Sequence, residues 1–277
     1  MLAVGSSPNE IAARHVIPTR GPAETLREAA EWFREQGALT ALGIGSFGPV
    51  DLDPASPSWG YITSTPKPGW ANCEIAGYFK KALSCPVGFD TDVNAAALAE
   101  WRAREGSRQA SLAYITVGTG VGGGLVEGGR IVGSSTHPEV GHIRVARHRD
   151  DAEFAGSCPY HGDCLEGLVS GPAVLARWGK RLDEVHDESA QEVVAHYLGQ
   201  LCLAVFSISA VERLVMGGGL MKTRGLLERV RDSFEQLDNG YLPGGVERSI
   251  EAPALGEHSG ITGALALAET AISQQTA

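Results

Sequence analysis

The chain is short of positive charge, of cysteine and of long apolar runs. Lysine and arginine total 23 against 33 aspartates and glutamates, a formal net charge of -10. Neutralising nucleic-acid phosphates takes clustered basic side chains, so this balance disfavours a nucleic-acid-binding role. No apolar run approaches the roughly 20 residues that a membrane span requires. The opening stretch MLAVGSSPNE has neither the basic nor the apolar region of a signal peptide. The chain is therefore expected in the cytoplasm, away from membranes. Of five cysteines, two fit the metal motif below, and the odd remainder of Cys73, Cys85 and Cys202 reads as reduced thiols filling a core. Low-complexity segments and short tandem repeats are absent as well.

What the chain does have is enough apolar residue for one large or two medium cores, 43% of 277 residues. Its chemistry gathers between Tyr114 and Glu166. An apolar run opens there into Gly118-Thr119-Gly120 and Gly122-Gly123-Gly124, where bare backbone N–H groups can cradle a phosphate. Farther on, Cys158, His161 and Cys164 fall at two-residue gaps, with His142 sixteen positions upstream of Cys158. Two thiolates and two imidazoles suit a closed tetrahedral zinc site, which has no open position for water and argues against a metallohydrolase. The plainer alternative is a surface loop. Glu139 and Glu166 flank these ligands and are either sugar-type hydrogen-bond acceptors or solvated loop carboxylates.

The remaining pattern alternates strands, helices and glycine turns. Leu2–Gly5 and Ala12–Pro18 read as an antiparallel pair, Pro22 to about Gly37 as a helix, and Ala41–Ile44 as a buried strand. That strand delivers Ser46-Phe47-Gly48-Pro49, either a tight turn or the wall of a small-ligand pocket. Tyr61–Trp70 is proline-rich and reads as an ordered loop, followed by a helix over Ala71–Leu83. Val87–Asn94 runs straight from strand into helix, and Asp92 at that junction is equally suited to capping the helix and to acting as a base. Further helices are expected over Glu166–Arg181, Ala190–Ser209, Lys222–Leu237 and Ser259–Ile272, with a strand at Arg213–Met216 feeding Gly217-Gly218-Gly219. Two α/β lobes with a cleft follow, divided near Gly106 into 1–106 and 107–277.

Several stretches together resemble the bacterial fructokinases of the ROK group (repressors, open reading frames and kinases). They are GIGSFGPVD, TSTPKPGW, PVGFDTDVNAAALAE, ITVGTGVGGG, HPEVGH, CPYHGDCLEGLVSGPA, VMGGGLM and LGEHSGITGALALA. The resemblance implies a two-lobed actin- and hexokinase-like ATPase fold with ribonuclease H-like lobes, a zinc-binding loop, and a last helix packing back on the N-terminal lobe. It implies Asp92 as the general base. Phe47, Gly48, Thr91, Asn94, Glu139, His142 and Glu166 are implied to hold the sugar, with His142, Cys158, His161 and Cys164 on zinc. Gly118, Thr119, Gly120, Gly217, Gly218 and Gly219 are implied to line the ATP site, with Mg²⁺ on the phosphates and a homodimer as the assembly. The implied reaction is ATP-dependent phosphorylation of D-fructose. A catalytically impaired sugar sensor, or a kinase preferring mannose, glucose or an N-acetylhexosamine, is the alternative, and a DNA-binding helix-turn-helix has no room ahead of the kinase-like body.

Two departures from the family pattern stand out. Thr91 replaces the asparagine that commonly precedes the base, which reads as a specificity mark. The family's first strand and its Gly-x-x-Gly-Gly-Thr-Lys turn are not matched, so the N-terminal lobe is expected to lack its first strand and first phosphate loop, with the true start upstream of Met1.

Overall fold

The computed structural model describes residues 1–104, 111–133, 135–244 and 247–275. They form two compact units, one of Met1–Glu105, Gly129–His137 and Glu257–Ala277, the other of Gly106–Gly128 and Pro138–Gly256. The boundary expected near Gly106 lies outside the described residues.

In the first unit, β1 (Leu2–Ser7) and β2 (Glu10–His15) form an antiparallel hairpin, and α1 (Pro22–Glu35) follows. Pro22 opens α1 where a missing N–H costs nothing, and Leu26, Ala29, Ala30 and Phe33 make its buried stripe. Gly37, with φ +98°, supplies the left-handed residue just beyond the helix end. β3 (Leu42–Ser46) is next, followed by the two-residue strands β4 (Tyr61–Ile62) and β5 (Cys73–Glu74), then α2 (Ala76–Leu83) and β6 (Val87–Thr91). α2 starts later than the expected Ala71. Asn72 takes a positive φ of 58°, and Cys73 and Glu74 pair with Ile62 and Tyr61, so sheet pairing claims the first turn.

β3 and β6 run parallel, with Leu42 opposite Val87 and Ser46 opposite Thr91. β6 passes directly into α3 (Asp92–Ala103). Over both strands and α3 packs α8 (Ser259–Gln275), the last helix. Its approach depends on absent side chains. A Cβ on Gly43 would collide with the backbone of Ala264, one on Gly88 with Leu267, and one on Gly263 with Ala95. The first turn of α8 is held from below, because the Ser259 hydroxyl donates to Glu100 Oε1 at 2.6 Å on α3. Glu100 is fully buried and also pairs with Arg104 at 2.5 Å, so its charge is compensated. Ala30, Phe33, Ile62, Trp70, Phe79 and Phe89 fill this unit's core.

A cavity of about 710 Å³ lies beside β1, β3 and α8. Residues 1–7, Leu42–Gly45, Ala264, Ala268 and Asp92 are among those that line it. Among the described residues β1 pairs only with β2, and β3 only with β6.

Between the segments of the first unit come β7 (Leu112–Val117) and β8 (Val121–Glu127) of the second unit, and then β9 (Arg130–Ile131), again of the first. The second unit continues with α4 (Leu165–Val169), α5 (Gly171–Trp178), α6 (Glu188–Ser209), β10 (Arg213–Gly217), α7 (Leu226–Asp238) and β11 (Ser249–Glu251). Its strands lie in the order β11-β10-β7-β8, parallel from β11 to β7 and antiparallel between β7 and β8. The single helix expected over Glu166–Arg181 is two. Ser170 ends α4 and caps α5, accepting from Ala173 N, while Pro172 sits in the first turn of α5.

α6 corrects one expectation, since its 22 residues are long and apolar enough to cross a membrane. Its Val194, Tyr197, Leu198, Leu201 and Cys202 are buried with Ile115, Leu214 and Met216 of the sheet, which is the burial of a core helix.

Candidate functional site

The register of β3 against β6 decides what stands around Asp92. Because Ser46 pairs with Thr91, the Phe47-Gly48-Pro49 loop leaves β3 at the end where β6 becomes α3. Gly45 comes so close to α3 that a Cβ there would lie 3.2 Å from Asp92 Cα. Thr91 is the N-cap of α3, its hydroxyl accepting from Asn94 N at 3.1 Å. Capping is therefore done by Thr91, and the Asp92 carboxylate is left for other work. Its side chain is exposed and lines the cavity, and desolvation by the neighbouring protein raises its pKa, opposed by the N–H of Val93 and the charge of Lys67.

Three neighbours escaped the sequence reading. Asp90 accepts from Asn94 Nδ2 at 2.6 Å and from Thr91 N at 2.7 Å, and burial raises its pKa against those two bonds. Asn94 Oδ1 is buried with no protein partner. His137 Nε2 accepts from Val50 N at 3.1 Å, which puts a ring proton on Nδ1 and seats the ring against Gly48. Lys67 lies with its ammonium 3.5 Å above the Phe47 ring. Phe47 in turn meets Trp70 edge-on at 5.3 Å, and Trp70 Nε1 donates to Arg20 O at 2.9 Å. A lysine fixed between Pro66 and Pro68 was the available signal for the last of these.

In the second unit the four predicted metal ligands come together. His142, Cys158, His161 and Cys164 present ligand atoms that all lie within 4.8 Å of one another. The separate edges are informative. His142 Nδ1 and His161 Nδ1 are 3.3 Å apart, Cys158 Sγ is 3.8 Å from each of them, and Cys164 Sγ is 3.6 Å from His142 Nδ1. Zinc bonds of about 2.0–2.1 Å to nitrogen and 2.3 Å to sulfur, set at tetrahedral angles, require edges of about 3.3 Å between nitrogens and about 3.6 Å from nitrogen to sulfur. The donor set fits such an ion. Burial, with Cys158 alongside, pushes the Cys164 thiol up to about 11, so a cation is what would hold it as thiolate near neutral pH.

The loop bearing these ligands is braced from beneath. Arg144 and Arg147 both pair with Asp163, next to Cys164, and Arg147 also donates to the carbonyls of Asp151 and Phe154. Asp151 is buried, accepting from Tyr197 Oη at 2.7 Å and lying 2.9 Å from Arg177 Nε. Arg177 stacks on Phe154 and Trp178, which shields its buried charge.

Ligation through Nδ1 leaves Nε2 of His142 on the far side of the ring. It stands 4.0 Å from Glu139 Oε2 and 4.0 Å from Glu166 Oε1, too far for direct hydrogen bonds. Glu166 is fixed by its other oxygen, which accepts from Val121 N at 2.9 Å and rests where a Cβ of Gly120 would be. The metal loop and the first glycine loop are thus tied together by one carboxylate.

The two glycine loops also adjoin. β7 and β10 are parallel with Gly217 opposite Thr116, so Gly118-Thr119-Gly120 and Gly217-Gly218-Gly219 leave the same end of the sheet. Gly218 has φ +96°, and a Cβ there would collide with the backbone of Val117. Neighbouring backbone turns of this kind, free of side chains, suit an anionic ligand.

A family model described as the ROK family matches residues 1–271. A fructokinase of Zymomonas mobilis is 44% identical over 279 residues, covering 97% of this chain and 92% of its own length. A putative fructokinase of Bacillus subtilis is 41% identical, covering 99% and 93%. Among solved structures, a ROK hexokinase from Thermus thermophilus matches with a TM-score of 0.76 at 26% identity, covering 96% of this chain and 93% of its own. With the metal ligands, both glycine loops and the strand-to-helix junction at Asp92 in place, the chain belongs to the ROK family.

Proposed function

We propose that this chain is an ATP-dependent kinase that phosphorylates a hexose, with D-fructose as the substrate and fructose 6-phosphate as the product. The observation that carries the reading is the convergence of His142 Nε2, Glu139 and Glu166, three groups spaced to share a sugar hydroxyl, on a loop whose donor set fits zinc. Fructose is preferred over other hexoses because the curated fructokinases match at 37–44% identity over nearly the whole chain, against 27% for glucokinases.

In this reading Asp92 takes the proton of the attacking hydroxyl while the sugar oxygen bonds to the γ-phosphorus and the bond from phosphorus to the ADP oxygen breaks. Its raised pKa makes it a stronger base than an unperturbed aspartate. Phe47, Gly48, Thr91 and Asn94 are further residues assigned to the sugar. The N–H groups of Gly118–Gly120 and Gly217–Gly219 hold the nucleotide. Bound with ATP, Mg²⁺ would supply positive charge against the charge developing on the phosphates. Zinc would be held by His142, Cys158, His161 and Cys164 and would serve to orient His142 and the two carboxylates.

The cavity beside β1 and β3 belongs to the same reading. Among the described residues β1 and β3 each pair with one strand, and both line the cavity beside α8, which leaves room for one more strand. A segment added ahead of Met1, which itself lines the cavity, is placed to enter it as that strand. Adding that strand is expected to raise the melting temperature and slow hydrogen exchange at the amides of β1 and β3. An unchanged melting temperature and unchanged exchange would reject the slot.

Asp92→Asn keeps the shape and removes the base, so fructose-dependent ADP release is expected to fall about 100-fold or more while fructose binding, by calorimetry, stays near wild type. Turnover near wild type would remove Asp92 from the chemistry. Cys164→Ser is expected to lose the bound metal, read by elemental analysis, and to weaken fructose binding about tenfold or more through His142, Glu139 and Glu166. Metal loss with undiminished fructose affinity would show that the ion does not position the sugar groups.

A further inference from the structure

We infer that Gly171 is a positioning residue for the nucleotide, its backbone N–H holding the first glycine loop in the shape that offers Thr119 and Gly120 to a phosphate. The inference rests on the kinase reading and extends it to a residue outside the site assigned above. The loop's backbone groups can be accounted for one by one. β7 and β8 stay paired up to Val117 opposite Val121, so Gly118-Thr119-Gly120 is the turn between them. Gly118 N donates to Gly120 O at 2.9 Å inside that turn. Val121 N donates to Glu166 Oε2 at 2.9 Å, and Gly118 O accepts from Gly171 N at 2.7 Å. Among the described residues no protein acceptor takes the N–H of Thr119 or of Gly120, and Thr119 is exposed. Those adjacent donors are the ones left for an anion.

Gly171 can hold the turn because it is itself held. It is the first residue of α5, and the N–H groups of a first helical turn have no intrahelical acceptor. The Ser170 side chain takes Ala173 N, and Gly171 N turns out to Gly118 O. The preceding helix, α4, is fixed along its length. Cys164 of the metal donor set is its N-cap, Leu165 N donates to Ile143 O at 3.0 Å beside His142, and Ser170 N donates to Glu166 O at 3.0 Å. Leu165, Leu168 and Val169 are buried in the core of the second unit. The approach of Gly171 to the turn is close, since a Cβ there would stand 3.2 Å from Gly118 O. Glu166, from the same short helix, ties the other end of the turn. Two ties from one buried platform, one at each end, fix the turn's shape, and α4–α5 thereby extends the order of the metal loop to the nucleotide.

Gly171→Pro tests the tie while sparing the helix. Proline suits the first helical position, and Ser170 already has φ -62° and ψ 160°, the extended backbone that a residue before proline adopts. The substitution removes the donor, and its ring would fall where Gly118 O sits. Gly171→Ala keeps the donor and asks the carbonyl for a shift of a few tenths of an ångström. Binding of a non-hydrolysable ATP analogue to the whole chain, by calorimetry, is expected to weaken about tenfold in Gly171→Pro and less than about threefold in Gly171→Ala. Fructose affinity and metal content are expected to stay at wild type in both. Unchanged analogue affinity in Gly171→Pro overturns the inference. An equal loss in both variants would assign the effect to crowding, and loss of fructose or metal alongside the analogue would mean general disruption; either overturns it too. A second measurement uses wild type alone, hydrogen exchange followed by NMR. The amides of Gly118, Val121 and Gly171 are expected to be protected in the free protein, and those of Thr119 and Gly120 only once the analogue binds. Fast exchange at Gly171 in the free protein, or no gain at Thr119 and Gly120, contradicts the inference. Failure of the kinase reading looks different: wild type would then bind no analogue, whatever the exchange at Gly171 in the free protein.

Discussion

Close backbone approach between α8 and the β3–β6 pair is the constraint on which the first unit depends. Three positions permit it, Gly43, Gly88 and Gly263, and at each a single methyl group would strike main chain instead of a movable side chain. Overpacking of that kind costs about 1–3 kcal/mol per site. The approach seats the last helix of the chain on strands separated from it by more than 150 residues. It also holds β3 and β6 in the register that brings Phe47 and Asp92 out together. The chemistry assigned to Asp92 therefore depends on residues that have none of their own.

The second unit is built on a different constraint, a set of four donor atoms whose edges fit a tetrahedral ion. Around it the chain has little regular structure of its own, and Arg147, Asp163, Asp151, Arg177 and Tyr197 stand in for a sheet by satisfying loop carbonyls and each other. A buried pair such as Asp151 with Arg177 contributes little net stability but penalises any arrangement that separates it. Glu166 then carries this order to the glycine loop through Val121 N. The proposed sugar groups and the proposed phosphate groups are therefore coupled within one unit.

Much of this was legible in the sequence where local spacing carries the information. The Cys-x-x-His-x-x-Cys run announced its metal site because ligand spacing is a local property, and the glycine loops announced turns because positive φ is a local demand. The hairpin at Leu2–Ser7 and Glu10–His15, the start of α1 at Pro22 and the strand-to-helix junction at Asp92 were visible for the same reason. Tertiary contacts were harder. Whether Asp92 caps α3 was undecided from spacing, since Thr91 and Asp92 are both good caps, and only backbone geometry assigns the role to Thr91. The late start of α2 reflects pairing with Tyr61 and Ile62, and the break at Ser170 reflects a proline at a first turn. Lys67 reaches Phe47 from 20 residues away and His137 reaches Val50 from 87, distances no periodicity spans.

The most direct test of the account is initial-rate ADP formation from Mg-ATP with and without fructose. It is measured on the 277-residue chain and on a form bearing a strand ahead of Met1. The account predicts fructose-dependent ADP release that is greatest in the extended form. Fructose binding without ADP formation in either form would contradict the kinase reading and leave a sugar-binding protein on a kinase fold.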